Sequence, residues 1–245
     1  MNATDTNLVK QEGDVYFLSS PEGLFKMMSE GKKWKELNLN LFGSVVVKST
    51  DPTKSNSGNM YGALLANTMN NNQVVTDADI DNIKESVKQV FQRQGHMEGS
   101  SGVLFQHFVN QGEGAFPIIV GYENQLIEFS NQHPDKIQVI RDRLRILYPQ
   151  PTVWASHPMI AVTENGEALL AALADEEIQK LAWEEHGFRS GGVGGQNDPS
   201  IFTITGLPKT ISSVMPTPNA NVMTKLIEHL SGESAQAVDA QSAGN

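Results

Sequence analysis

The residues Thr50-Asp51-Pro52-Thr53-Lys54-Ser55-Asn56-Ser57-Gly58 join two stretches of opposite character. Before them, Val45-Val46-Val47 is a run of β-branched residues of the kind that packs well in a strand. After them, Tyr61-Gly62-Ala63-Leu64-Leu65-Ala66-Asn67 follows a helical pattern. Strand, hydroxyl-rich turn and helix together make a physical device. The first amides of a helix have no intrahelical partner and carry the positive end of its dipole. Ser55, Asn56 and Ser57 are good N-cap types, and each also offers a donor to an oxygen-rich ligand. The same residues equally suit a plain turn and a helix cap.

A second unit of this kind follows. Ala115-Phe116-Pro117-Ile118-Ile119-Val120-Gly121 reads as a short buried strand, with Pro117 marking an edge or a bulge. Tyr122 and Glu123 open a helix through Leu126, Ile127 and Phe129. Here the turn presents a phenol and a carboxylate. In open α/β sheets, ligands sit beyond the carboxyl ends of strands, against helix N-termini.

Around these units the chain alternates strands and helices. Residues 1–13 are polar and read as a flexible terminus. Residues 14–18 read as a strand, and Ser20-Pro21-Glu22 starts a helix that ends near Gly31. Lys32-Lys33-Trp34-Lys35-Glu36-Leu37 is a short helical turn with a solvated basic face. Residues 43–50 form the strand entering the opening motif, and the helix after it runs to about Asn70. Ile80, Ile83, Val87 and Val90 at 3–4 spacing mark another helix, and Leu104, Phe105 and Phe108 a further one. Residues 135–150 are ambiguous between helix and strand, with strand favoured near Tyr148. Val153 to Thr163 reads as a strand interrupted at Pro158, and Glu164-Asn165-Gly166 as a turn. Helices follow at 167–174, at 176–186 (closed by Gly187) and at 222–230. Residues 190–198 read as a glycine-rich linker without the lysine of a P-loop, and 231–245 as a flexible terminus.

Composition narrows the function classes. The chain has 245 residues, 39% hydrophobic and 19% charged, as in a soluble globular protein with one large core or two lobes. A net charge of −10 argues against nucleic acid as a main partner, while a local ring of amides and hydroxyls still holds an anion. With no cysteine there is no disulfide, thiol chemistry or cysteine-ligated zinc. No apolar run of about eighteen residues spans a membrane. The first residues carry neither the basic nor the apolar region of a signal peptide.

Catalytic patterns are missing. His96, His107, His133, His157, His186 and His229 show no metal-binding spacing, so no metal is expected, and no cofactor. No G-x-S-x-G elbow is present. Glu176-Glu177 and Glu184-Glu185 read as charged helix faces. A hydrolase or transferase using Ser55 or Ser57 would need a base that the sequence does not place. The expectation is a binding protein, not an enzyme.

Four segments in order carry a family resemblance: residues 50–58, then Val120-Gly121-Tyr122-Glu123, then Tyr148-Pro149-Gln150-Pro151-Thr152-Val153-Trp154, then His186-Gly187-Phe188-Arg189. Together the chain resembles bacterial extracellular solute-binding proteins of the type 2 periplasmic-binding fold, the group that includes phosphate and molybdate binders. The likeness covers roughly residues 14–230. It implies an α/β protein of two lobes with mixed sheets flanked by helices: lobe I from residues 14–49 and 152–230, lobe II from residues 50–151. Crossing strands near Thr50 and Pro151 would join the lobes, and a small polar or anionic ligand would lie between them, bound for import or sensing. Lys54, Ser55, Asn56, Ser57, Gly58, Tyr122 and Glu123 are the ligand-binding candidates. The implied partner is a membrane transporter or sensor component, and the implied location extracellular or periplasmic.

This chain departs from that pattern. It shows no signal peptide, and the family's opening strand and helix are not recognisable in residues 1–13, which leaves lobe I incomplete. Lys54 and Glu123 would sit in the cleft, unlike a simple oxyanion site. A non-catalytic interaction module of the same fold, its ligand site lost, is the alternative expectation.

Overall fold

A computed structural model describes residues 8–190 and 197–232. Its centre is the extended segment that leads to Thr50. Val45 and Val47 are buried, and the segment runs parallel to two neighbours, pairing Lys48 with Ile119 and Thr50 with Glu98. The backbone bonds are few: Lys48 N to Ile118 O at 2.9 Å, Val120 N to Lys48 O at 2.7 Å, and Asp51 N to Glu98 O at 2.8 Å. The expected strands at 43–50 and 115–121 are therefore single bridges rather than regular ladders. Side chains take over part of the pairing. The Ser49 amide donates to Gln94 Oε1 at 2.6 Å, and Lys48 Nζ donates to the Gln94 carbonyl. Pro117 also removes one amide from the neighbouring strand.

Two small regular sheets are formed elsewhere in the chain. β1 (Val9–Glu12) and β2 (Val15–Leu18) form an antiparallel hairpin around Gly13-Asp14. Gly13 has φ of 59°, which suits the first central position of a two-residue hairpin turn. Residues 9–12 thus correct the expectation of a flexible start through residue 13. Pairing across a tight turn satisfies a strand that is too short and polar to show a hydrophobic period. β3 (Leu147–Pro149) adds in parallel to β2, and β4 (Thr152–Val153) pairs in parallel with β5 (Val214–Met215).

Among the described residues there are nine α-helices. They are α1 (Pro21–Glu30), α2 (Asn56–Met69), α3 (Ile80–Gln92), α4 (Ser101–Gln111) and α5 (Glu123–Gln132). After them come α6 (Ile137–Arg143), α7 (Glu164–Leu173), α8 (Glu176–His186) and α9 (Ala220–Ser231). The chain is mixed α/β. Two boundaries differ from the sequence reading. The expected strand 153–163 stops at Val153, and Ile160 and Val162 are exposed without strand partners. The expected turn at 164–166 is helical, because Thr163 Oγ1 accepts the Gly166 amide at 3.1 Å and starts α7 three residues early. The expected linker through residues 191–196 and the expected flexible ends at 1–7 and 233–245 lie outside the described residues.

The apolar core divides in two. One cluster joins α1, α2, α3 and α9 around Phe25, Met28, Tyr61, Leu65, Val87 and Leu226. Buried Asn67 helps fasten it, donating to Pro216 O and accepting from the Val75 amide, both at 3.0 Å. The other cluster joins α4, α5, α6 and α8 through Phe105, Ile127, Phe129, Ile140 and Trp183. The division expected at residue 50 does not coincide with this one, since α2 and α3 pack with α1 and α9. Among the described residues no helix is long and apolar enough to cross a membrane.

Candidate functional site

A cavity of about 320 Å³ lies where the two core clusters meet. One wall is the α2 face Ser57, Met60, Tyr61 and Leu64, backed by Leu24 and Phe25 of α1. The facing wall carries Phe105 and Phe108 of α4, Leu126 of α5, and Leu144 and Ile146 ahead of β3. Gly121, Tyr122 and Glu123 close one side, so the N-termini of α2 and α5 both open onto the cavity. A second hollow of about 310 Å³ lies between Val15–Phe17 and residues 208–213.

The opening motif folds on itself. Asp51 Oδ1 accepts from the Thr53 amide at 2.9 Å and from its hydroxyl at 2.7 Å. Partial burial pulls the Asp51 carboxyl upward, but the hydrogen bonds from Thr53 and the nearby Lys54 ammonium outweigh it and hold the group below its ordinary value. Lys54 reaches the other Asp51 oxygen at 3.2 Å, is largely exposed, and is not part of the cavity wall. Ser57 is buried; its Oγ lies 2.6 Å from Thr50 Oγ1 and 2.9 Å from Ser55 Oγ. These three hydroxyls lock the turn to the helix start.

Asn56 spans the two helix starts: its Nδ2 donates to Tyr122 Oη at 3.2 Å. Ser57, Tyr122 and Glu123 thus meet at one cavity, Asn56 stands beside it, and Lys54 stands apart. Gly58 has a different reason to exist from the one its place in the motif invites. A Cβ there would lie 2.6 Å from Thr50 O and 2.7 Å from Pro52, so the close approach is the chain's own backbone.

Glu123 is committed to the protein. Arg189 forms a bidentate ion pair with it, and Tyr148 Oη donates to it at 2.7 Å. The Arg189 side chain is only 5% exposed. It also donates to Pro208 O at 2.7 Å and Lys209 O at 3.0 Å, and stacks 5.0 Å from the Trp183 ring centre. Burial, and then the adjacent Glu123 charge, push the Tyr148 phenol far up, so it remains a donor. This cluster ties the start of α5 to the end of α8.

Tyr61 and Arg145 also line the cavity and were not among the sequence candidates. Tyr61 carried a signal: it lies four residues after Ser57, on the same face of a helix. Its hydroxyl is buried with no hydrogen-bond partner, and burial drives its pKa far upward. Arg145 is exposed at the wall, with its guanidinium 5.8 Å from the Tyr16 ring centre. Among the described residues, no group of three or more acidic or histidine side chains is placed to hold a metal ion, and no histidine lines the cavity.

No family model, no curated protein and no solved structure matches the chain.

Proposed function

We propose that the protein is a non-catalytic solute-binding protein, in which two lobes hold a small polar or anionic molecule between them. The observation that carries this reading is the cavity at the junction of the two core clusters, with the starts of α2 and α5 opening onto it. Two helix dipole ends favour an anionic group there. Ser57 is held by Thr50 and Ser55 with no histidine on the wall, which supports capture rather than acyl transfer. In this reading the lobes close on the ligand by a hinge motion, and the loaded protein delivers it to a membrane transporter or sensor outside the cytoplasm.

A ligand that binds only the folded state raises its melting temperature by mass action. The test is a thermal-shift panel of oxyanions, amino acids, organic acids and small peptides. The reading expects a dose-dependent rise for one chemical class. A flat response across the panel, from protein with a cooperative melt, contradicts it.

The alternative, an interaction module, draws on α7. None of its residues is buried, and Leu169, Leu170 and Leu173 are exposed beside Ile178 and Leu181 of α8. Exposed apolar residues grouped in this way mark docking surfaces. A flat panel together with self-association that is lost in Leu169→Glu would favour this reading.

A further inference from the structure

We infer that the ligand of the cavity is an organic anion: a carboxylate on an apolar body of about two rings. This deepens the solute-binding reading and rests on it.

The polar side chains of the wall set the head group. Ser57 is held by Thr50 and Ser55, Thr152 Oγ1 is directed to Val153 O at 3.5 Å, and the Glu123 charge is matched by Arg189. Two groups remain. The Tyr122 hydroxyl accepts from Asn56, which leaves its own proton to donate. Arg145 gives Nη1 to the Arg141 and Leu144 carbonyls, both at 2.7 Å, and forms no ion pair among the described residues. Every uncommitted side-chain group is a donor, so the ligand must bring acceptors. With Glu123 neutralised, the remaining formal charge on the wall is positive, and the two helix starts add to it. A negative head group fits; an amine does not.

The remaining wall sets the body. Phe25, Met60 and Leu64 face Phe105, Phe108 and Leu126 across the cavity, and water gains nothing there. The volume of about 320 Å³ is roughly twice that of an apolar cavity that admits benzene. Inorganic oxyanions would leave these walls unfilled.

The experiment is calorimetric titration of the full chain with benzoate, 3-phenylpropionate, 4-phenylbutyrate and 2-naphthylacetate, with the matching amides, and with inorganic phosphate. The expected result is that at least one acid binds, with its amide at least tenfold weaker. Arg145→Gln should weaken that acid at least tenfold and leave the amide unchanged. Tyr122→Phe, which removes the other available donor, should also weaken the acid. Equal binding of acid and amide overturns the proposal, as does acid binding that neither variant alters. Phosphate or amino-acid binding without acid binding overturns it too, yet leaves the solute-binding reading standing. Binding of nothing in these titrations or in the thermal-shift panel overturns both.

Discussion

Replacing Arg189 by Met removes the cation that holds the start of α5 to the end of α8. The side chain is 5% exposed and its partner Glu123 is 15% exposed, so water cannot readily replace either half of the pair. Removing one member of a buried pair strands the other, at a cost of about 3–5 kcal/mol. The Pro208 and Lys209 carbonyls also lose their donor, and Trp183 loses the stacked guanidinium. Tyr148 still donates to Glu123, which moderates the loss and places the value near the lower end, about 3 kcal/mol. For a chain of this length that corresponds to a melting point lower by roughly 6–12 °C. Urea unfolding followed by far-ultraviolet circular dichroism measures it. The double variant Arg189→Met/Glu123→Gln removes the stranded charge, so it should recover at least about 1 kcal/mol relative to the single variant. A loss below about 1 kcal/mol for Arg189→Met, or strict additivity in the double variant, would refute the claim that these groups act as one buried unit.

Three further outcomes follow from the same geometry. Gly58→Ala should destabilise by about 2 kcal/mol or more in urea unfolding, since its Cβ would meet Thr50 O at 2.6 Å and neither backbone can yield freely. Gly187→Ala should be destabilising as well, because the residue has φ of 71° and a Cβ would lie 2.8 Å from Ile127 Cδ1; a neutral melt would contradict the close packing of α5 on α8. Asp51 has a folded pKa below its ordinary value, so its contribution is present above the unfolded pKa and is lost as pH falls through the folded one. Asp51→Asn should therefore lose stability near neutrality and show a shallower decline below about pH 4 than the parent, measured by melts across pH.

Where the signal was local, the sequence was readable. Helices with a stop and a start written into adjacent residues, such as α1 with Pro21 and Gly31 or α8 with Asp175 and Gly187, lie close to where the sequence reading sets them. The meeting of residues 56 and 57 with Tyr122 was also legible, because strand-to-helix turns carry their direction with them. Pairing across long separations was not. Nothing in Val9-Lys10-Gln11-Glu12 announces a strand until β2 lies beside it, and nothing in 153–163 announces that partners are missing. The role of Glu123 was hidden for the same reason: its cation stands 66 residues away. Gly58 shows a subtler limit, since a small residue in a motif looks the same whether a ligand or the chain's own backbone presses against it.

The most direct measurement is an amide chemical-shift map of the full chain, titrated with the acids that raise its melting point. The saturable shifts should centre on residues 56–61 and 121–123, with Arg145 included, and Met60→Trp, which puts a larger side chain on the wall, should abolish them. Saturable shifts confined to α7 and α8, or shifts at the helix starts that persist in Met60→Trp, would contradict this binding site.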